Sequence, residues 1–333
     1  MKTFKYILLV ICFSISFAEA RSWEKITIPG AVCGNGQSYS VFVDRKDTDK
    51  VLVEFMGGGA CWSEGTCYGD SPLTSLQPLE QAPTSVFAND SMANNPWNRH
   101  TALFLPYCTG DVHAGQHVTS YKPSVLLYHN GYHNVVLTFR YLQQQNILNF
   151  QSAKDVTVWG FSAGALGAFL HAVTLEPYLS PSAHKTLIAD SPGLHFGRNF
   201  WLKFTPALIR DYNENFRKID FPFEQDDGFL APHMGPVFVR YSAWNIGILQ
   251  STKDLVMSIV FGNISPDAHR QLVLGSSGIA AIAAPFANVK TWIADTTMHT
   301  FLFRDSSANY QDMSGETAWD FAVRVHGMNH QGK

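Results

Sequence analysis

Charge is scarce in this chain: 15% of its 333 residues are Asp, Glu, Lys or Arg, and the formal net charge is −3. No basic surface exists of the kind that nucleic acid or acidic lipid attracts, so both partner classes fall away. Long apolar runs are also missing beyond the first 20 residues; a bilayer-spanning helix needs about 20 consecutive apolar residues, so stable membrane insertion is not expected. The chain has no internal repeat, low-complexity tract or Pro/Ser/Gly linker to divide it. One domain with a large core follows as the expectation, and it is expected to be monomeric.

Cysteine is sparse, with five residues, one of them inside an unusual opening segment. Met1 to Ala20 carries Lys2 and Lys5, an apolar run from Tyr6 to Phe17, and Ala18-Glu-Ala20 ahead of Arg21. That is the layout of a secretory signal peptide cleaved after Ala20. Its apolar run is too short for an anchor, and Ile11 before Cys12 does not make a lipoprotein site. Residues 21–333 are therefore expected as a single exported domain, extracellular or periplasmic. Cys33, Cys61, Cys67 and Cys108 remain, an even number in an oxidising compartment, and two disulfides are the default. Cys61 and Cys67 close a short loop through Ser63, Glu64 and Gly65 and are paired with each other, which leaves Cys33 to Cys108. The spacings match no zinc pattern of paired C-x-x-C units, and nothing indicates a redox pair.

What the chain does contain is organised around Asp155-Val-Thr-Val-Trp-Gly-Phe-Ser-Ala-Gly-Ala-Leu-Gly-Ala-Phe-Leu-His171. This reads as strand, tight turn, helix. Glycines two residues either side of Ser162 allow a turn too tight for a Cβ and lift the hydroxyl above the sheet edge, as a nucleophile elbow does. The Ala163 N–H then opens a helix, where an unpaired donor can face a developing oxyanion. A second glycine-rich turn, Gly57-Gly58-Gly59-Ala60, follows the buried strand Val51–Phe55. Without a following Lys-Ser/Thr it is no P-loop, and Gly59 and Ala60 are expected to supply the other oxyanion donors.

Lys25–Ile28 and Tyr39–Val43 read as short antiparallel strands with Gly30, Gly34 and Gly36 in their turn. Residues Glu64 to His100 are loop-rich and expected over the top of the sheet; Asn89-Asp-Ser91 is a glycosylation acceptor in a eukaryotic source. Thr101–Leu105, Lys185–Asp190, Ile246–Gln250 and Val289–Ala294 are further strands, while Tyr132–Ile147 and Asp267–Leu274 are expected helices. Aromatic residues crowd 194–244, among them Phe196, Phe200, Trp201, Phe204, Tyr212, Phe216, Phe221, Phe223 and Trp244. This stretch is expected to be a cap inserted over the sheet edge, with most of its rings in packing roles.

Phe55-Met-Gly-Gly-Gly-Ala-Cys-Trp62, Leu105-Pro-Tyr-Cys-Thr-Gly-Asp-Val-His-Ala-Gly115, Gly160-Phe-Ser-Ala-Gly164, Asp190-Ser191 and Met298-His299-Thr300 occur in the order seen in serine carboxylesterases of the pectin acetylesterase/Notum family, which the chain resembles from about Cys33 to Phe303. The resemblance implies an α/β-hydrolase fold, with a mostly parallel sheet and helices on both faces, ester hydrolysis without cofactor, and disulfides at Cys33–Cys108 and Cys61–Cys67. The resemblance is to the bacterial-type branch; the Notum branch has Trp at the position of Ala60 and Gly at that of Ala165. Both differences point away from the Notum lipid substrate.

In such a fold the acid and then the base follow the serine, each after a strand. Asp254 and His299 meet that order best. Of the 13 histidines, His113 and His117 precede Ser162, His171 lies in the elbow helix, and His326 and His330 are read as part of a polar tail. Asp190 is the rival acid, and Asn245 occupies a place where some alignments would put the acid; Gln250-Ser-Thr-Lys-Asp254 resembles the bacterial branch at its acid. These roles call for no metal or cofactor. The expected substrate is a small-molecule or polysaccharide ester, O-acetyl groups first, with Trp62 beside the glycine turn stacking on sugar. Longer acyl chains on lipid or protein, or a non-catalytic carbohydrate-binding role on the same scaffold, are the alternatives.

Overall fold

The computed structural model describes residues 21–46, 48–83, 85–89, 92, 94–222 and 228–328. The expected signal peptide, Ser91 of the glycosylation acceptor, Phe223 and His330 lie outside the described residues. β-Branched and apolar runs form the strands: β1 (Glu24–Val32), β2 (Ser38–Asp44), β3 (Lys50–Phe55), β4 (Thr101–Leu105), β5 (His117–Lys122), β6 (Val125–His129), β7 (Asp155–Phe161), β8 (His184–Asp190), β9 (Asn245–Ser251) and β10 (Val289–Ala294). Eight of them make one mixed sheet in the order β1-β2-β4-β3-β7-β8-β9-β10, and β5 with β6 forms a separate hairpin. β2 pairs antiparallel with both β1 and β4, and every pairing from β4 to β10 is parallel.

Parallel strands require crossovers, which here carry helices, so both faces are covered and the strands become apolar along their whole length. Alternate residues of one strand enter different cores. Val51, Val53 and Phe55 of β3 join the larger core with Val135, Phe139 and Leu142 of the helix Gly131–Gln144 and Ala168 and Phe169 of the helix Ala163–Leu175. Leu52 and Trp159 face the other way, against Phe321, Ala322 and Val325 of the helix Ala318–His326. Trp97, Trp159 and Trp292 of this second core have no exposed surface, and burying one such ring is worth about 4–6 kcal/mol in transfer terms. Their polar atoms are satisfied inside: Trp97 Nε1 donates to Thr157 Oγ1 at 2.9 Å, and Trp159 Nε1 to the buried Glu54 carboxylate at 2.9 Å.

Several local expectations need correction. The β5–β6 hairpin was not anticipated, because Ser120, Lys122 and Pro123 break its apolar pattern. Gly30 lies inside β1 at an irregularity of register between Thr27 and Val32, not in the turn. The segment from Glu64 to His100 divides: Leu73 abuts Gly59 at the sheet's carboxyl end, while Val86, Phe87 and Trp97 fill the second core. His326 is no tail residue. It ends a helix whose apolar face is buried, which the polar residues between its core positions disguise. Among the described residues no helix is long and apolar enough to cross a membrane.

Candidate active site

The sheet delivers four loops to one edge. β3 and β7 are neighbours with Phe55 beside Gly160, β7 and β8 with Phe161 beside Asp190, and β9 and β10 with Ser251 beside Ala294. The glycine turn, Ser162, Asp254 and His299 follow β3, β7, β9 and β10 respectively, all at carboxyl ends.

Ser162 sits between β7 and the helix Ala163–Leu175 at φ 54° and ψ −125°, a backbone conformation that L-residues rarely adopt. The flanking glycines allow it by close approach. A Cβ on Gly160 would lie 2.1 Å from the Gly164 carbonyl oxygen, and one on Gly164 would lie 2.1 Å from that of Phe55. Ser162 is also tied to its neighbour strand, its N–H donating to the Asp190 carbonyl at 2.8 Å.

Asp254 is fully buried, and its Oδ2 is 2.7 Å from His299 Nδ1 while its Oδ1 accepts the Met257 N–H at 3.0 Å. His299 Nε2 is buried and has no hydrogen-bond partner among the described residues. The two loops are stitched together: Lys253 N–H donates to Thr296 O at 3.0 Å, Thr252 N–H to Ala294 O at 2.9 Å, and Ser251 Oγ to Met298 O. The rival acid takes another place. Asp190 Oδ2 accepts the N–H groups of Phe301 and Leu302, both at 2.7 Å, and its Oδ1 accepts the Ser191 hydroxyl at 3.0 Å. Burial pushes this carboxyl above its ordinary range against those donors. The end of β8, beside the strand that leads into Ser162, is thus joined to the chain just beyond His299, since Ser191 Oγ also accepts the Thr300 N–H at 3.2 Å. Asn245 begins β9 at the opposite edge, and its amide donates to Met328 O at 2.7 Å.

The glycine turn bends at Gly59, whose φ of +77° suits glycine and where a Cβ would lie 1.9 Å from Leu73 O. The N–H groups of Gly59, Ala60 and Ala163 find no acceptor among the described residues. Two side chains that the sequence reading left without a role hold this turn. Tyr107 donates its hydroxyl to Gly59 O at 3.0 Å and accepts the Val112 N–H at 2.7 Å; His113 Nε2 lies 2.9 Å from Met56 O. The Pro-Tyr-Cys block carried a signal for Tyr107, but only the folded contact reveals its use. Both disulfides are present: Cys61–Cys67 directly follows the turn, and Cys33–Cys108 joins the end of β1 to the Tyr107 loop.

Ser162, Gly59 and Ala60 open onto a cleft of about 800 Å³, mouth included, whose walls are almost wholly apolar. Phe196, Phe200, Phe204, Phe216 and Phe221 come from the segment between β8 and β9, and Met257 and Phe261 from the wide π-type helical turn after Asp254. Trp62 stands behind this wall, with its ring centroid 5.0 Å from that of Phe204 and 6.2 Å from that of Phe261. Beside it Lys203, lowered to about 8 by burial, lies 4.8 Å from the Phe200 ring and 5.2 Å from the Trp62 ring.

The family model for Pectinacetylesterase matches residues 20–197. The chain belongs to the pectinacetylesterase family. Membership implies carboxylesterase activity on acetyl esters, and the matched region contains the glycine turn, the four cysteines and Ser162. Asp254, His299 and most of the aromatic segment lie beyond it. No curated protein matches the chain.

Proposed function

We propose that the protein is an exported serine carboxylesterase whose residues 21–333 form one α/β-hydrolase domain capped by 194–244. The observation that carries the reading is the strained Ser162 on the same sheet edge as His299 and its hydrogen-bonded partner, the buried Asp254. In this mechanism His299 Nε2 takes the Ser162 proton as Oγ attacks the ester carbonyl. Asp254 holds Nδ1–H and stabilises the imidazolium without accepting the proton. The amides of Gly59, Ala60 and Ala163 receive the oxyanion, each donor contributing about 10²–10³ in rate. The alcohol leaves with the proton from His299, and water then releases the acid by the reverse sequence.

O-acetyl groups on a polysaccharide are the first substrate reading, supported by the family match. The cleft supports a second. An acetyl group needs little room, whereas walls of Phe, Leu and Met extending from Ser162 suit a longer acyl chain, each buried CH₂ adding about 0.8 kcal/mol. A series of p-nitrophenyl esters from about two to sixteen carbons distinguishes them. A kcat/KM maximum at acetyl or propionyl supports the first, and a maximum at eight carbons or more replaces it with the second. No turnover of any ester, together with no labelling of Ser162 by a fluorophosphonate, would remove the enzyme reading in favour of a carbohydrate-binding protein.

A further inference from the structure

At the other end of β7 from Ser162, three side chains from distant parts of the sequence converge. His100 immediately precedes β4, Asp155 opens β7, and His326 ends the helix Ala318–His326. One ligand-capable atom from each lies within 4.8 Å of the other two. Asp155 Oδ2 is 3.3 Å from His100 Nε2 and 3.5 Å from His326 Nε2, and neither contact has hydrogen-bond geometry. The His100 side chain has no exposed surface, yet both its ring nitrogens lack a hydrogen-bond partner among the described residues, as does Asp155 Oδ1. Buried polar atoms are nearly always satisfied, so a fully buried imidazole with neither nitrogen partnered, beside a second imidazole and a carboxylate, indicates a missing partner.

Both separations from Asp155 Oδ2 match those around a zinc-class ion. A zinc-class ion binds imidazole nitrogen and carboxylate oxygen at about 2.0–2.2 Å, and tetrahedral ligands at that radius lie about 3.3–3.5 Å apart. Surrounding groups suit the role. His326 Nδ1 lies 3.5 Å from the hydroxyls of Thr157 and Thr186, and an Nδ1–H directed at them leaves the Nε2 lone pair on the Asp155 side. Trp97 Nε1 donates to the same Thr157 hydroxyl, and His184 Nε2 lies 2.7 Å from the His326 carbonyl. Asp155 and His326 keep 14% and 13% of their side-chain surface exposed, enough for entry from solvent and for a water as fourth ligand.

We infer that His100, Asp155 and His326 form a binding site for a divalent ion of the zinc class. Two imidazoles and one carboxylate give a mixed N/O set of the kind zinc accepts, with one position left to water. The ion would join the C-terminal helix to the starts of β4 and β7, at the edge of the sheet away from Ser162. Its part is structural, and the ester chemistry has no step through it.

The test uses the mature chain, stripped with a chelator and titrated with zinc chloride by calorimetry. One ion binds per chain in the micromolar range or tighter, and the melting temperature rises by about 4 °C at a hundredfold excess over Kd. His100→Gln and His326→Gln each weaken binding at least tenfold, whereas His299→Gln binds as the parent does. An unmodified chain that takes up no zinc, or melts no higher with it, overturns the proposal without reference to any variant. Uptake that survives both cluster variants, or vanishes in His299→Gln, overturns it too. Since a variant at buried His100 can fail to fold, cobalt(II) in the unmodified chain gives a second readout: strong visible bands of four-coordinate cobalt support the site, and only the weak bands of the solvated ion refute it.

Discussion

The two ends of β7 hold the same residue types in different relations. At the carboxyl end His299 forms a 2.7 Å hydrogen bond with Asp254 through Nδ1, and its other ring nitrogen is unpartnered. At the amino end Asp155 stands between two imidazoles at 3.3 and 3.5 Å and makes a hydrogen bond to neither. A proton acceptor needs the first arrangement, in which one nitrogen is fixed and the other is available. A bound cation needs the second, in which several lone pairs face one point. Residue type alone does not distinguish them; the neighbours that fix each ring do.

The sharpest way to break this contrast is to remove Ser162 or its proposed base. Ser162→Ala and His299→Ala should each lower kcat on a short p-nitrophenyl ester by about 10⁶, as expected for residues acting as a unit. Thermal unfolding should change little, because neither side chain fills the core. Activity within tenfold of the parent in either variant would dissolve the assignment at the carboxyl end.

Next in size is the proposed acid. Asp254→Asn should cost up to about 10⁴ in kcat through the wrong imidazole tautomer, with the fold intact. Asp190→Asn should act mainly on stability, since its Oδ2 accepts two backbone N–H groups that an amide nitrogen in that place could not bond. A large kcat loss for Asp190→Asn beside normal turnover for Asp254→Asn would exchange the two roles.

The parallel strands were legible because each is a short apolar run, most of them followed closely by Gly, Asp or Pro, and the glycine turn and elbow because close approach admits only glycine there. The pairing of Cys61 with Cys67 was legible from a six-residue separation. Tyr107 as the brace of Gly59, and the convergence of His100, Asp155 and His326, were not. Each joins residues tens to hundreds of positions apart, and no local periodicity encodes such a meeting. Trp62 was singled out by its position beside the glycine turn; in the fold it packs against Phe204 and Phe261, two rings of the cleft wall.

Acid should loosen the carboxyl-side scaffold before it unfolds the rest. Burial pushes His129, His171 and His195 down to about 3 from an ordinary value of 6.5. The unfolded chain takes up these protons as pH falls through about 6.5, and the folded chain does not until about 3. Their contribution is therefore complete above pH 6.5 and is lost progressively from there down to pH 3. Melting temperature measured from pH 7.5 to 4 should fall by several degrees, and a flat profile would contradict their burial as neutral rings.

The smallest expected effect is the one that best sharpens the comparison. His326→Gln, measured without added metal, should leave kcat/KM on a short ester within about twofold of the parent, since Ser162 lies at the far end of β7 and sites without shared partners behave additively. Stability should drop by about 1 kcal/mol or less, because glutamine keeps much of the volume packed against Trp97 and loses mainly the weak contacts to Thr157 and Thr186. Adding zinc should then stabilise the parent and not the variant. A variant that loses ester turnover while its fold and melting temperature stay unchanged would show that the two ends of β7 are coupled, and the separation of a chemical end from a structural end would no longer hold.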